Sequence, residues 1–243
     1  MRTRTLRVLP RDSLSSPPPF NALAITPDRL PTVDAVSSWS HEERPQTRLG
    51  VLLRRAQTPG AALLHDDALM AFAQRCNAAG HCVVLSCTAT DIESKEVSAR
   101  SLSRVGLRGI QIKGDPPDAI FHAVSRALGD DFVVGRSCHG PAPAAADAPW
   151  SYTTVAPVFR IPQEKPEKPS EGIGVDTLRR WCEAVPQVFA LGGIVAANIA
   201  PCLEAGAFGV AGIRLFFGDA AHVMDNMNAL GRAIERHTAL PLL

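Results

Sequence analysis

The chain has 243 residues, of which 46% are hydrophobic and 20% charged, and 25 Lys and Arg against 24 Asp and Glu leave a formal net charge of +1. That balance is globular and excludes a mainly disordered chain. Near-neutral charge and only 5% aromatic residues offer neither a basic nor a stacking surface, so nucleic acid is not an expected partner.

Residues 1–20 read as an arm expected to be poorly ordered. Arg2, Arg4, Arg7 and Arg11 precede a Ser/Pro cluster ending at Pro17-Pro18-Pro19. Residues 21–243 read as one domain. Eight short runs follow in order: Ala22–Thr26, Leu49–Arg54, His81–Ser86, Arg108–Ile112, Asp131–Gly135, Ser151–Ala156, Gln187–Leu191 and Phe208–Leu215. Most are continuous apolar runs rather than alternating ones, as expected for parallel strands covered on both faces.

Helical patterns lie between them. Leu69, Phe72, Ala73 and Cys76 form one face before Gly80. Ile120, Val124 and Leu128 form another, closed by Gly129. Ile199, Cys202 and Leu203 precede Gly206, and Val223, Met227, Leu230 and Ile234 mark a last amphipathic helix. The first and fifth crossovers, Asp28–Trp39 and Pro141–Pro149, have weaker helical patterns. The trio His65-Asp66-Asp67 is read as a solvent-facing part of a helix.

The uncharged stretch Ala184–Leu203 has the length of a membrane helix. It contains Pro186, Gly192, Gly193, Asn198 and Pro201, so it is read as strand, turn and helix, and no membrane partner is expected. Cys76, Cys82, Cys87, Cys138, Cys182 and Cys202 form no CxxC pair, which argues against a zinc ribbon or a thioredoxin-like site. A chain this long needs no disulfide staples, so a reducing, cytoplasmic compartment is expected. Eight β/α units in a chain near the roughly 250 residues of such domains predict a single (β/α)8 TIM barrel, with a doubly wound open sheet as the competing fold.

In a barrel, chemistry gathers where strands end. Ala190-Leu191-Gly192-Gly193-Ile194 runs a strand into a double glycine, where backbone N–H groups can approach an anion closely. Ile213 and Arg214 close the eighth run. Strands seven and eight are where barrels often bind phosphate, so Gly192, Gly193, Ile213 and Arg214 are the expected phosphate site. The plainer alternative is a tight turn with a surface Arg. After the fifth run stands Gly135-Arg136-Ser137-Cys138-His139-Gly140. An unperturbed His side chain titrates near ~6.5, which makes His139 a candidate general acid or base at neutral pH. A loop His that orients backbone is the alternative. Cys138 and His139 point to opposite faces if the strand continues, which weakens a Cys–His nucleophile reading. Ile161–Pro169, rich in Pro and charge, is either a loop that closes on a ligand or a solvated linker. No acid follows the second or third run, so a Mg²⁺ site would rest on Asp115 alone.

The order of these motifs resembles the thiamine phosphate synthase and thiazole tautomerase superfamily. The resemblance runs from about Ala22 to Ile234. It is clearest in Gly135–His139, Pro157-Val158-Phe159, Gly172-Ile173-Gly174-Val175, Ala190–Asn198 and Ala205–Val210. It implies a phosphate site at the double glycine as well. The departures are in the first half. Synthases carry a Gln-Leu-Arg-acid-Lys run after strand two, where this chain has Leu52-Leu53-Arg54-Arg55-Ala56. They carry Asn-Asp-Arg after strand three, where this chain has Ser86-Cys87-Thr88. The family's loop Lys maps to Lys165, and its Ser near strand eight is replaced by Arg214.

What the resemblance implies is a thiamine-biosynthesis barrel that binds a thiazole phosphate. The expectation is an isomerase of the tautomerase type, with no cofactor and no metal, in which His139 moves the proton. Arg54, Lys113, Ser137 and Lys165 would hold the substrate. The alternatives are a synthase that joins hydroxymethylpyrimidine pyrophosphate to thiazole phosphate with Mg²⁺, and a non-catalytic relative that only binds a phosphate ester. A small-molecule phosphate ester is the expected partner, and a homodimer is left open.

Overall fold

Strands rich in Val, Leu, Ile and Ala, buried on both faces, can satisfy their backbone only by pairing with one another, and here they close on themselves. In a computed structural model that describes residues 16–30, 36, 39, 44, 46–139, 141–142, 149–160 and 171–239, eight parallel strands form a closed barrel in sequence order. They are β1 (Ala22–Ile25), β2 (Leu49–Leu53), β3 (Cys82–Cys87), β4 (Gly109–Ile112), β5 (Val133–Cys138), β6 (Tyr152–Val155), β7 (Val188–Leu191) and β8 (Gly209–Gly212). Closure is made by β1 pairing β8, with Leu23 opposite Ala211. Helices alternate with the strands: α1 (Gly60–Leu63), α2 (Asp67–Ala78), α3 (Ala89–Glu93), α4 (Ala99–Arg104), α5 (Asp118–Leu128), α6 (Gly174–Ala184), α7 (Ile199–Glu204) and α8 (Ala220–Ala239). The (β/α)8 barrel is therefore the fold, and the open sheet is not.

Side chains divide by strand parity. Leu23, Ile25, Leu52, Val84, Tyr152, Phe189 and Ala211 point inward and form one cluster with Phe20. Ala24, Val51, Leu53, Val83, Leu85, Ile110, Val134 and Val188 point outward into a second cluster beneath the helices. Three rings fill the lower interior: Phe20 and Tyr152 meet edge-on with centroids 5.4 Å apart, and Tyr152 and Phe189 do the same at 5.4 Å. Glycines opposite make the room. A Cβ at Gly50 would lie 2.6 Å from the Phe20 ring, and one at Gly135 would overlap the Tyr152 ring. Interior layers of this kind make the barrel a packed core rather than a pore.

The buried residues of α2 are Leu69, Phe72, Ala73 and Cys76, the face its spacing predicts. The stretch 184–203 resolves into the end of α6, β7, a glycine turn and α7. No helix among the described residues is long and apolar enough to cross a membrane.

Three details differ from the sequence reading. β5 continues past Gly135 to Cys138, because Arg136 has a place on the outer face: its guanidinium lies 4.7 Å from the Trp150 ring centroid and 5.1 Å from that of Phe121. Asp66 is not a solvated helical residue but the N-cap of α2, accepting from Leu69 N at 3.0 Å and pairing with Arg55 at 2.7 Å. Phe20, read as the last residue of an arm, is fully buried. Residues 1–15 and most of the first and fifth crossovers lie outside the described residues.

Candidate active site

All eight strands run the same way, so their C-terminal ends share one rim, and the loops that follow them surround one mouth. Gly192-Gly193 after β7 and His139 after β5 are on that rim together.

The glycine turn is shaped by its neighbours. Gly192 and Gly193 take φ of 91° and 66°, conformations that L side chains rarely adopt. A Cβ on Gly193 would stand 2.8 Å from the carbonyl oxygens of Phe159 and Arg160. Phe159 N donates to Gly192 O at 3.0 Å, so the loop after β6 lies directly against the turn. Asn198 fixes the far side: its Nδ2 donates to Gly193 O at 2.9 Å, and its Oδ1 accepts from Val195 N at 2.8 Å. Among the described residues, no acceptor engages the N–H groups of Gly193 and Ile194. The segment Ile213–Phe217 turns directly after β8, with Ile213 O accepting from Phe216 N at 3.0 Å, and Arg214 is exposed. The arrangement is a backbone cradle of the kind that receives anions.

Below the mouth lies a polar layer that the sequence reading missed, apart from Ser137. Gln111 on β4 accepts at Oε1 from the Tyr152 hydroxyl at 2.9 Å. That bond leaves its amide to donate to Ser137 Oγ at 2.9 Å and Thr154 Oγ1 at 3.3 Å. The two hydroxyls are 3.2 Å apart. A Gln and two Thr inside otherwise apolar runs were the available signal. His139 follows β5 with the same parity as Ser137, is exposed, and is carried by the first residue beyond the strand.

The cations separate. Arg136 leaves the site: it pairs with Asp115 at 2.7 Å and Asp118 at 2.6 Å on the outer face of the barrel. Burial works against its charge, but the hydrogen bonds to Asp115 and Asp118 hold its pKa above the ordinary value. Arg55 is tied to Asp66 and to the carbonyl of Asp28. Lys113 continues the inward parity of Gln111, and its Nζ donates to Thr58 O at 3.2 Å. Arg54 continues the inward parity of Leu52, its N–H donating to Thr26 Oγ1 at 2.8 Å. Lys165 lies outside the described residues.

Cys138 does not suit a nucleophile. Burial pushes its thiol up to about 11, with Arg136 opposing and Asp115 adding. Burial also raises Cys87 strongly, Asp91 adds to this and Lys113 opposes it. Asp91 is a second feature absent from the sequence reading. Its carboxylate accepts from Thr88 N at 2.7 Å, Thr88 Oγ1 at 2.9 Å, Gly60 N at 3.1 Å and Ala61 N at 3.2 Å. Burial raises its pKa, but these hydrogen bonds outweigh that and hold it below the ordinary value.

The family model for thiamine monophosphate synthase matches residues 98–216, which runs from α4 through β8. Over these residues the chain is similar to the thiamine monophosphate synthase family. The match takes in Lys113, Ser137, His139, the glycine turn and Arg214, and leaves Arg54 and the first three strands outside. Among curated relatives, a thiamine biosynthesis bifunctional protein from Symbiobacterium thermophilum is 40% identical over 117 residues, 47% of this chain and 24% of that protein. A thiamine-phosphate synthase from Geobacillus kaustophilus is 38% identical over 107 residues, 42% of this chain and 46% of that protein. The chain thus spans about half the length of its curated relatives, or less. Among solved structures, a thiamine phosphate pyrophosphorylase from Pyrococcus furiosus superposes with a TM-score of 0.61 at 18% identity, covering 90% of this chain and 96% of that one. An N-(5'-phosphoribosyl)anthranilate isomerase from the same organism gives 0.54 at 10% identity, covering 88% and 99%. At these identities the structural likenesses establish the barrel alone.

The family raises the question of Mg²⁺, which favours several carboxylate oxygens. The described residues do not fit it. β3 ends in Ser86 and Cys87, Asp115 is held by Arg136, and the Asp91 carboxylate is filled by N–H and O–H donors. No group of three His, Cys, Asp or Glu is placed for a metal among the described residues.

Proposed function

We propose that the mouth binds a thiazole-class phosphate ester and that the chain acts in thiamine phosphate formation, joining that ester to a pyrimidine pyrophosphate and releasing inorganic pyrophosphate. The observation that carries the reading is the glycine turn: N–H groups of Gly193 and Ile194 open to an anion, inside the segment that matches the synthase family. The names of the curated relatives favour condensation over the isomerisation expected from the motif at His139. In this reading the phosphate sits on Gly192, Gly193, Ile213 and Arg214. The ring extends toward Ser137 and the layer ordered by Gln111. The exposed His139 lies beside it, and Arg54 and Lys113 supply positive charge. No step is routed through a metal.

A second reading, isomerisation of a thiazole phosphate carboxylate, is favoured by Asp66, Asp91 and Asp115, which are engaged elsewhere, and by the position of His139. One experiment separates the two. Pyrophosphate release is followed with a pyrimidine pyrophosphate and a thiazole phosphate, and isomerisation is followed separately by the ultraviolet change as the ring becomes aromatic. Release supports condensation. No release at any Mg²⁺ concentration, together with isomerisation lost in His139→Asn, assigns the second reading instead.

A further inference from the structure

The polar layer below the mouth is a chain of hydrogen bonds whose members differ in what they can reach. Tyr152, Gln111 and Thr154 are 0%, 4% and 1% exposed, whereas Ser137 is half-buried. Of these four, Ser137 is therefore the one that a ligand in the mouth can touch.

The chain begins at Tyr152, the single tyrosine of the sequence. Its ring packs edge-on against Phe20 and Phe189. It also crosses Gly135 on the neighbouring strand, where a Cβ would overlap it. A ring so held aims its hydroxyl at Gln111 Oε1, 2.9 Å away. A phenol has one proton and an amide oxygen only accepts, so this bond fixes which end of the Gln111 amide faces Tyr152. The two amide N–H groups then face Ser137 Oγ at 2.9 Å and Thr154 Oγ1 at 3.3 Å. Thr154 has two acceptors in reach, Ser137 Oγ at 3.2 Å and the Arg136 carbonyl at 3.4 Å, and Ser137 is the nearer. With Thr154 donating to it, Ser137 Oγ accepts twice. Both of its lone pairs are then filled, and its own proton is left for the mouth.

We infer that Tyr152 and Gln111 are positioning residues that set the hydrogen-bond sense of the mouth. Acting through Ser137, they present a donor to the bound ligand and so select a ring with an acceptor atom in that place. Neither of them touches the ligand. The inference deepens the function proposed above and rests on it for the ligands used as probes. The rings of the thiazole phosphate and the pyrimidine pyrophosphate both carry nitrogen lone pairs.

The first test needs no ligand. Because Tyr152 is the single tyrosine, the Raman doublet of its ring reports whether its hydroxyl donates or accepts. A donating phenol is expected in the parent. An accepting one means that the Gln111 amide is reversed, and overturns the inference. The second test is calorimetric titration of the full chain with inorganic phosphate, the thiazole phosphate and the pyrimidine pyrophosphate. It compares the parent, Gln111→Met, Ser137→Ala and the double variant. Each single variant should weaken at least one ring-bearing ligand about 3- to 10-fold, the effect of one neutral hydrogen bond. The double variant should weaken it no further, because Gln111 acts through Ser137. Inorganic phosphate, which has no ring, should bind all four proteins alike. Thr154→Val, which removes the other donor to Ser137, takes the place of Gln111→Met if that variant melts early. Additive losses, equal losses for inorganic phosphate, or unchanged binding of both ring-bearing ligands overturn the inference. A parent that binds neither ring-bearing ligand rejects the proposed function, while the tyrosine spectrum still upholds or overturns the hydrogen-bond sense of the layer.

Discussion

Replacing Asp91 by Asn removes one charge and little volume, and its effect follows from the hydrogen bonds at the carboxylate. Oδ2 accepts from Gly60 N, Thr88 N and Thr88 Oγ1, while Oδ1 accepts from Ala61 N. An Asn oriented to keep the three bonds at Oδ2 turns its amide donors toward the Ala61 N–H. One charge-assisted bond, worth about 1.5–3 kcal/mol, becomes a clash of donors, and the other three lose the charge that strengthens them. The expected loss is about 2–4 kcal/mol at pH 7, read from urea unfolding. The pH dependence adds a second test. The folded-state pKa of Asp91 is below its ordinary value of 3.8. Its contribution is therefore complete above the unfolded-state value and is lost as pH falls through the folded one. The gap between parent and Asp91→Asn should narrow below pH ~4. A variant within about 0.5 kcal/mol of the parent at pH 7, or a gap that stays constant into the acid range, refutes the clamp.

Gly193→Ala meets both a positive φ and a 2.8 Å approach to two carbonyl oxygens. It should lower stability by about 2 kcal/mol and abolish phosphate-ester binding, measured by melts with and without ligand. Phe20→Ala empties the lower interior and should lower stability by about 3–5 kcal/mol in a thermal or urea melt. Burial holds Cys82 and Cys138 at about 11 and Cys182 and Cys202 at about 12. A disulfide reagent at pH 8 should therefore find these thiols slow in the native protein and fast in denaturant, and a rapid native phase from any of them contradicts the burial.

The sequence exposes what depends on periodicity. The α2 face and the eight apolar runs are visible because each strand is covered twice and each helix once, so burial is written along the chain. What escapes is pairing across the barrel. Arg136 looks like a site residue from its motif, yet it turns outward, because Phe121 and Trp150 receive its guanidinium and neither is adjacent to it in the chain. Asp91 drew no reading from the sequence, because its Gly60 and Ala61 partners come from α1, which follows another strand. Gln111, Tyr152, Ser137 and Thr154 belong to three strands, and only closure of the sheet brings them together. The positions of Gly193 and His139 on one rim follow directly from strand order. Which cations face inward depends on where β5 ends, and polar residues hide that end.

The Phe20, Tyr152 and Phe189 rings have a kinetic consequence. With the lower interior occupied, the lumen has a single doorway, and everything that enters at the glycine turn must leave past the same loops. If two ligands share this vestibule, as the proposed condensation requires, the deeper occupant cannot exit until the outer one has gone. For the condensation proposed above, steady-state inhibition patterns between its two products would reveal that sequence of traffic.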